Sequence, residues 1–382
     1  MSTPPQSMTA ASATSGPKVA FLDLRSATFE LRDRIHAAVL STVDSGWYLL
    51  GDRLAEFERS FASYVGQTAC VGVGNGLDAL TLSLRALDIG VGDEVIVPSN
   101  TYVATWLAVS AVGATLVPVE PDPSTFNLDP QRCAEAMTPR TRAVLPVHLY
   151  GQPADLTALW EIGRASGARL LEDAAQCHGA RWEGKPIGGI DAGACWSFYP
   201  GKNLGALGDG GAVTSSDERV VDRLRVLRNY GSRVKYVNEE KGTNSRLDEV
   251  HAAVLSVKLE VLDEWNGRRT AIAASYLEAM ASCKWLRLPV VDERSVPVWH
   301  VFVVRTADRE RFRSHLGGRG VETLVHYPIP PFRQRAYENE FDPAHYPISD
   351  LLHSEVLSLP IGPHMSEVDV ARVIDAVVSY EP

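Results

Sequence analysis

Short apolar runs alternate with helical periodicity through the first two thirds of the chain. Residues 70–74, 94–97, 115–119, 143–147, 169–172, 194–198 and 212–214 are apolar or β-branched and only a few residues long, so they predict strands. Most are separated by stretches with a helical pattern, such as 103–112 and 154–166. Alternation of this kind predicts a mostly parallel sheet covered by helices on both faces, an α/β three-layer domain. Before the first strand, Leu54, Phe57, Phe61 and Tyr64 fall three and four apart and form one apolar stripe in a largely helical arm over 19–64. After it, Asn75 is placed to cap a helix carrying Leu77, Leu80, Leu84 and Leu87.

Further on, Leu247, Val250, Val254, Val257, Val261 and Trp265 step by three and four, which predicts one long amphipathic helix. Such a helix suits the passage between two domains. Beyond it a strand is expected over 299–304 and a helix over 367–378, giving a smaller α+β domain. The expected division is a disordered tail at 1–17, a large domain at 18–255 and a small one at 256–382. Length agrees, since 382 residues exceed what a single core usually holds.

Composition narrows the function. A 45% hydrophobic and 22% charged chain is that of an ordinary soluble protein. Net charge is -10 and no basic run occurs, so the electrostatic footprint of nucleic-acid binding is missing. No apolar run reaches the length of a membrane span. Residues 1–17 lack the basic start and apolar core of a signal peptide. Five scattered cysteines, with no Cys-x-x-Cys spacing, read as reduced core residues and neither a disulfide framework nor a metal site. A cytoplasmic location is expected.

The candidate chemistry begins with Lys202, in Ser197-Phe198-Tyr199-Pro200-Gly201-Lys202, between an apolar strand and the glycine-rich Gly208-Asp209-Gly210-Gly211. A lysine so held loses water, which lowers its pKa and makes it a nucleophilic amine able to form a Schiff base. Asp173 ends the apolar run before Ala174-Ala175-Gln176, at the carboxyl end of a strand, where open α/β sheets bind ligands. A Schiff-base lysine and a carboxylate on neighbouring strand ends form the pair a pyridoxal phosphate enzyme needs. Gly72-Val73-Gly74-Asn75-Gly76-Leu77 fails the dinucleotide fingerprint because Leu77 stands where a third glycine is required. Gly201-Lys202-Asn203 lacks the upstream glycine and following Ser/Thr of a phosphate-binding Walker loop. The helix start at Gly76 remains available for a cofactor phosphate.

Six blocks in order carry a resemblance: Asn75-Gly76-Leu77-Asp78-Ala79-Leu80, Pro98-Ser99-Asn100-Thr101-Tyr102-Val103-Ala104-Thr105, Glu172-Asp173-Ala174-Ala175-Gln176, Ser197 to Lys202, Gly208 to Gly211, and Gly242-Thr243-Asn244-Ser245-Arg246-Leu247-Asp248-Glu249. From about Val19 to its end the chain resembles the DegT/DnrJ/StrS sugar aminotransferases, within the aspartate-aminotransferase-like fold of type I pyridoxal phosphate enzymes. The resemblance implies a seven-stranded sheet. It implies that Lys202 holds pyridoxal 5'-phosphate and shuttles a proton, that Asp173 pairs with the pyridine nitrogen, and that Gln176 touches the phenolic oxygen. It also implies that Tyr102 stacks on the ring, and that the Gly76 and Leu77 N–H groups with Ser197 hold the phosphate, joined by Asn244 from a second subunit. The active site would then be shared across a homodimer.

His326-Tyr327-Pro328 resembles a segment of those members that aminate the C-3 keto group of thymidine-diphosphate hexoses, and Lys235-Tyr236 resembles another. Tyr236, His326 and Tyr327 are therefore the expected substrate residues. The implied reaction moves an amino group from glutamate to a dTDP-linked 3-keto-6-deoxyhexose through pyridoxamine 5'-phosphate. A C-4 keto sugar or an inositol ketone would use the same cofactor residues, and a catalytically idle regulator could keep the fold, although Lys202 counts against it. Two positions depart from the pattern: Arg333 precedes Gln334 where histidine is usual, which leaves the sugar open, and His251 stands where glutamine is usual, which is expected to affect packing.

Overall fold

The computed structural model describes residues 18–382, so the tail expected at 1–17 lies outside the described residues. Seven strands form the central sheet: β1 Ala69–Val73, β2 Glu94–Pro98, β3 Thr115–Val119, β4 Thr141–Val144, β5 Arg169–Asp173, β6 Gly193–Ser197 and β7 Gly211–Ser215. Their order across the sheet is β1-β7-β6-β5-β4-β2-β3. β7 runs antiparallel to both its neighbours, β1 and β6, and the other pairings are parallel. The predicted strands all form, in the α/β three-layer arrangement expected. β2 is buried along its whole length, and β5 and β6 over all but one end residue, as strands covered on both faces must be.

Two cores flank the sheet. One holds the arm: Leu54, Phe57 and Phe61 of the helix Asp52–Tyr64 are buried against Trp196 and Phe198 at the end of β6. Phe61 meets Trp196 edge-on at 5.1 Å and Phe198 at 5.5 Å, and Phe57 meets Phe198 at 5.4 Å. Edge-to-face contacts at these separations add about 0.5–1.5 kcal/mol each beyond burial. The other core packs the helix Gly76–Ala86, capped by the Asn75 side chain, with Trp106, Val95 and Val213.

The long helix predicted across 247–265 is two helices, Glu249–Leu259 and Leu262–Met280. The chain leaves helical geometry at Val261, with φ -112° and ψ 3°. No glycine or proline marks the break, and the apolar stripe runs through it because both helices bury the same side. Leu262 belongs to the sheet core, whereas Ile272, Tyr276 and Met280 belong to a separate one with Phe302, Phe312, Leu357 and Val377. That second core surrounds the antiparallel pair β8 Phe302–Arg305 and β9 Val356–Leu359. Between β8 and β9 the chain returns to the sheet, since Phe332, Tyr337 and Tyr346 belong to the core that holds Trp106. Among the described residues no helix is long and apolar enough to cross a membrane.

Candidate active site

Asp173 ends β5 and is 5% exposed. Its Oδ2 accepts a hydrogen bond from the Thr105 hydroxyl at 2.9 Å, and its Oδ1 accepts the Ala175 N–H at 3.2 Å. Burial pushes this carboxyl up, while those two donors and Lys202 oppose the rise. Three residues on, Gln176 is also buried: its Oε1 accepts the Tyr150 N–H at 2.6 Å, and its Nε2 donates to the Tyr327 hydroxyl at 3.0 Å. Both residues occupy the strand's carboxyl end because β5 stops there and the chain turns over the sheet.

Lys202 follows β6 in a closed loop. Its N–H donates to the Tyr199 carbonyl and Ala206 N–H to the Phe198 carbonyl, each at 2.8 Å. Half-buried there, its ammonium is lowered from the ordinary 10.5 to about 8 by lost solvent, with Asp173 pulling the other way. Asp173 and Lys202 thus lie at the ends of the paired strands β5 and β6.

Next to them a set of donors meets. Ser197 ends β6, and its hydroxyl accepts the Tyr199 N–H at 3.3 Å. A Cβ on Gly76 would lie 2.7 Å from the Ser197 Cβ and 3.3 Å from its Oγ, so glycine is what lets the helix start approach. Asn75 Oδ1 takes the Asp78 N–H at 2.8 Å, and among the described residues the Gly76 and Leu77 N–H groups have no protein acceptor. Two free amides at a helix start beside a serine hydroxyl are a donor set for an anion such as a phosphate. With the Lys202 amine and the Asp173 carboxylate, the residues present fit pyridoxal phosphate.

The Tyr102 ring is half exposed above this group, 5.0 Å from the Tyr327 ring. His326 is partly buried; its Nδ1 pairs with Ser358 Oγ at 2.8 Å, and its Nε2 has no protein partner among the described residues. Burial, with a smaller contribution from Lys202, lowers this imidazole to about 4, so it is neutral near pH 7. Asn244 and Tyr236 stand apart: Asn244 is exposed, and Tyr236, 88% exposed on the ribbon of Ser232–Val234 and Val237–Asn238, touches none of these side chains. Ser245, next to Asn244, ties that segment to the helix start, donating to Asp78 Oδ2 at 2.6 Å and accepting the Gly74 N–H at 2.9 Å.

The sequence departures have clear positions. Arg333 forms an exposed pair with Asp350. His251 does more than pack: its Nδ1 meets Asp248 Oδ2 at 2.7 Å, which raises its pKa, and its ring presses on Gly208, where a Cβ would come 3.0 Å from Nε2. The sequence assigns no role to Thr105, Tyr150 or His300. Thr105 stands three residues after Tyr102, in the first turn of its helix. His300, whose Nδ1 meets Asn203 Oδ1 at 3.2 Å next to Lys202, carries no local signal.

Comparison with known proteins gives the family. Residues 30–378 match the DegT/DnrJ/EryC1/StrS aminotransferase family. A dTDP-3-amino-3,4,6-trideoxy-alpha-D-glucose transaminase of Streptomyces venezuelae is 55% identical over 94% of this chain and 96% of its own. A dTDP-3-amino-3,6-dideoxy-alpha-D-galactopyranose transaminase of Aneurinibacillus thermoaerophilus is 52% identical over 95% of this chain and 99% of its own. The crystal structure of S. venezuelae DesV in complex with a ketimine intermediate superposes with a TM-score of 0.94 at 55% identity, covering 95% of this chain and 98% of that one. The chain belongs to the DegT/DnrJ/EryC1/StrS aminotransferase family.

Proposed function

We propose that this protein is a pyridoxal-phosphate-dependent aminotransferase that moves an amino group from glutamate to the C-3 keto carbon of a dTDP-linked 3-keto-6-deoxyhexose, in amino-deoxysugar biosynthesis. The observation that carries the reading is the buried Asp173 carboxylate at the end of β5 and Lys202 in the closed loop that follows β6, the strand paired with β5 at Asp173–Cys195. The regiochemistry rests on the two transaminases of dTDP-3-amino sugars at 55% and 52% identity. When bound, pyridoxal phosphate supplies an aldehyde that takes up amines and a ring that accepts electrons.

The chain's own residues do the rest. Lys202, lowered to about 8, is neutral often enough near pH 7 to act as a nucleophile, and its amine would take and return the proton at the substrate carbon. Asp173, held in place by Thr105, would hold a proton at the ring nitrogen. Gln176 is anchored by Tyr150 and Tyr327, and its amide would bind the phenolic oxygen. Gly76, Leu77 and Ser197 would hold the phosphate, and Tyr102 would cover the ring face. His326 offers Nε2 to the sugar, with Tyr327 beside it.

A large unit at 18–255 and a small one at 256–382 would bring the sugar residues over the cofactor; the separate core around Phe302 and Phe312 supports a second unit, although Leu262, Phe332, Tyr337 and Tyr346 pack back on the sheet cores. Tyr236 and Asn244 serve the partner's site in a homodimer, supported by exposed apolar side chains at Leu40, Val43, Trp47, Tyr48 and Leu49. Five free cysteines, four of them buried and Cys283 half-buried, suit a reducing cytoplasm.

The test is a panel of keto nucleotide sugars with glutamate as donor. The expected result is amination of 3-keto-6-deoxyhexoses; a wild-type protein that aminates only 4-keto sugars or inositol ketones overturns the regiochemistry. His326→Asn is expected to raise KM for the sugar about tenfold, the effect of losing one placed hydrogen bond, and to leave the glutamate half-reaction unchanged. Equal damage to both half-reactions removes His326 from the sugar site.

A further inference from the structure

Lys258 lies near the end of the helix Glu249–Leu259 and is 6% exposed. Among the described residues its ammonium has no carboxylate partner. Its one hydrogen bond goes from Nζ to the Gly205 carbonyl at 2.6 Å. Taking an ammonium out of water is costly unless other groups replace the solvent, and a methionine or leucine would fill the same space without that cost. The place of the acceptor gives the charge a use. Gly205 closes the loop that carries Lys202, and the loop folds so tightly that a Cβ on Gly205 would lie 2.4 Å from the Pro200 carbonyl oxygen. A charge-assisted bond to that carbonyl, in a site shielded from water, fixes the loop's closing turn against a helix.

The same loop has a second fastening. Asn203, next to Lys202, donates through Nδ2 to Asn266 Oδ1 and to the Val298 carbonyl, each at 2.9 Å, and its Oδ1 meets His300 Nδ1 at 3.2 Å. Asn266 in turn donates to the His178 carbonyl at 2.8 Å. Asn266 sits in the helix Leu262–Met280, on the far side of the break at Val261. The lysine loop is thus tied to both helices, one bond on each side of the interruption between them.

We infer that Lys258 is a positioning residue for Lys202: its ammonium pins the Gly205 carbonyl, while Asn266 pins Asn203, so that the amine just before these two fastenings is held at one depth over Asp173. The inference rests on the proposed role of Lys202 as the residue that carries the cofactor aldehyde. Depletion of solvent lowers Lys258 to about 8, so near neutral pH it is still largely the charged donor this role needs.

The test uses full-length protein loaded with pyridoxal phosphate, as wild type, Lys258→Met and Lys258→Arg. The visible absorption band of each is titrated between about pH 5 and pH 10, since its midpoint reports the environment of the Lys202 nitrogen and not merely stability. Lys258→Met is expected to move the midpoint by about half a pH unit or more, a roughly threefold change in the protonation constant. It is also expected to lower kcat more than it raises KM for the sugar. Lys258→Arg, which keeps charge and donor, is expected to restore the wild-type midpoint. Lys258→Gln replaces Lys258→Met should the latter fail to accumulate. A shifted Lys258→Met with an unshifted Lys258→Arg upholds the inference; an unshifted Lys258→Met, or a Lys258→Arg shifted as far as Lys258→Met, overturns it. A wild type that shows no such band overturns the cofactor reading, and the inference with it; a wild-type band with an unshifted Lys258→Met overturns the inference alone.

Discussion

At the scale of single residues, the site works by withholding water from charged groups. Lys202 is the clearest case, lowered from 10.5 to about 8 chiefly by lost solvent. A lysine shifted this far is neutral roughly two orders of magnitude more often at pH 7 than an ordinary one. The neutral amine is the nucleophile, so capture of pyridoxal phosphate by the cofactor-free protein is expected to speed up from pH 6 to a plateau above the Lys202 pKa, with a midpoint near 8. Stopped-flow absorbance checks this, and a midpoint above 10 would contradict the depressed amine. The same shift has a sign in stability. A lysine whose folded pKa lies below its unfolded value leaves the folded state with fewer bound protons between about 8 and 10.5, so its contribution favours folding as pH rises through that window and opposes it below. Thr105 illustrates what one chain alone hides: a threonine in a helix's first turn has many uses, and only the packing of that helix on the strand ends aims its hydroxyl at Asp173.

Among elements, the helix Asp52–Tyr64 and strand β6 depend on each other. The stripe Leu54, Phe57 and Phe61 was readable from spacing alone, but its partner was not, because periodicity gives the face a helix buries and not what lies against it. That partner is Trp196 and Phe198, which bracket Ser197 and lead into the Lys202 loop. Phe61→Ala is therefore expected to cost about 3–5 kcal/mol of stability by leaving a cavity in a core with no exposed residue nearby to fill it. It is also expected to weaken cofactor affinity, since the β6 end loses its support. Urea unfolding and cofactor titration on the same variant test both, and a loss of stability with unchanged affinity would separate the two. The parallel strands were legible for the same reason, as continuous apolar runs covered on both faces. The break at Val261 was not, since nothing in the sequence distinguishes two helices that bury one side from a single helix that does. The Gly76 helix start was legible through Asn75, whose side chain can only cap. His300 reaches the site from a loop and Tyr150 from the short 3-10 turn Leu149–Gly151, where order along the chain carries no information about neighbours in space.

For the whole molecule, the open question of the sequence is which residues act across a subunit boundary. Tyr236 at 88% exposed and Asn244 beside the helix start touch none of the side chains that surround Lys202 in their own chain. The apolar face of Leu40, Val43, Trp47, Tyr48 and Leu49 is exposed in the single chain, as is the Tyr199 ring two residues from the base of the lysine loop. In the homodimer proposed above, a second copy covering that face would bury both and would place Asn244 of one subunit at the phosphate of the other. This predicts complementation. Lys202→Ala lacks the amine but supplies an intact Asn244; Asn244→Asp keeps the amine but sets a carboxylate against the phosphate, where like charges repel. Each homodimer is expected to be inactive. After random reassortment of equal amounts, half the dimers are mixed and each contains one complete site of its two, so about a quarter of wild-type activity is expected to return. Activity that stays at zero while sizing shows mixed dimers, or an Asn244→Asp variant that is fully active alone, would place every site residue within a single chain.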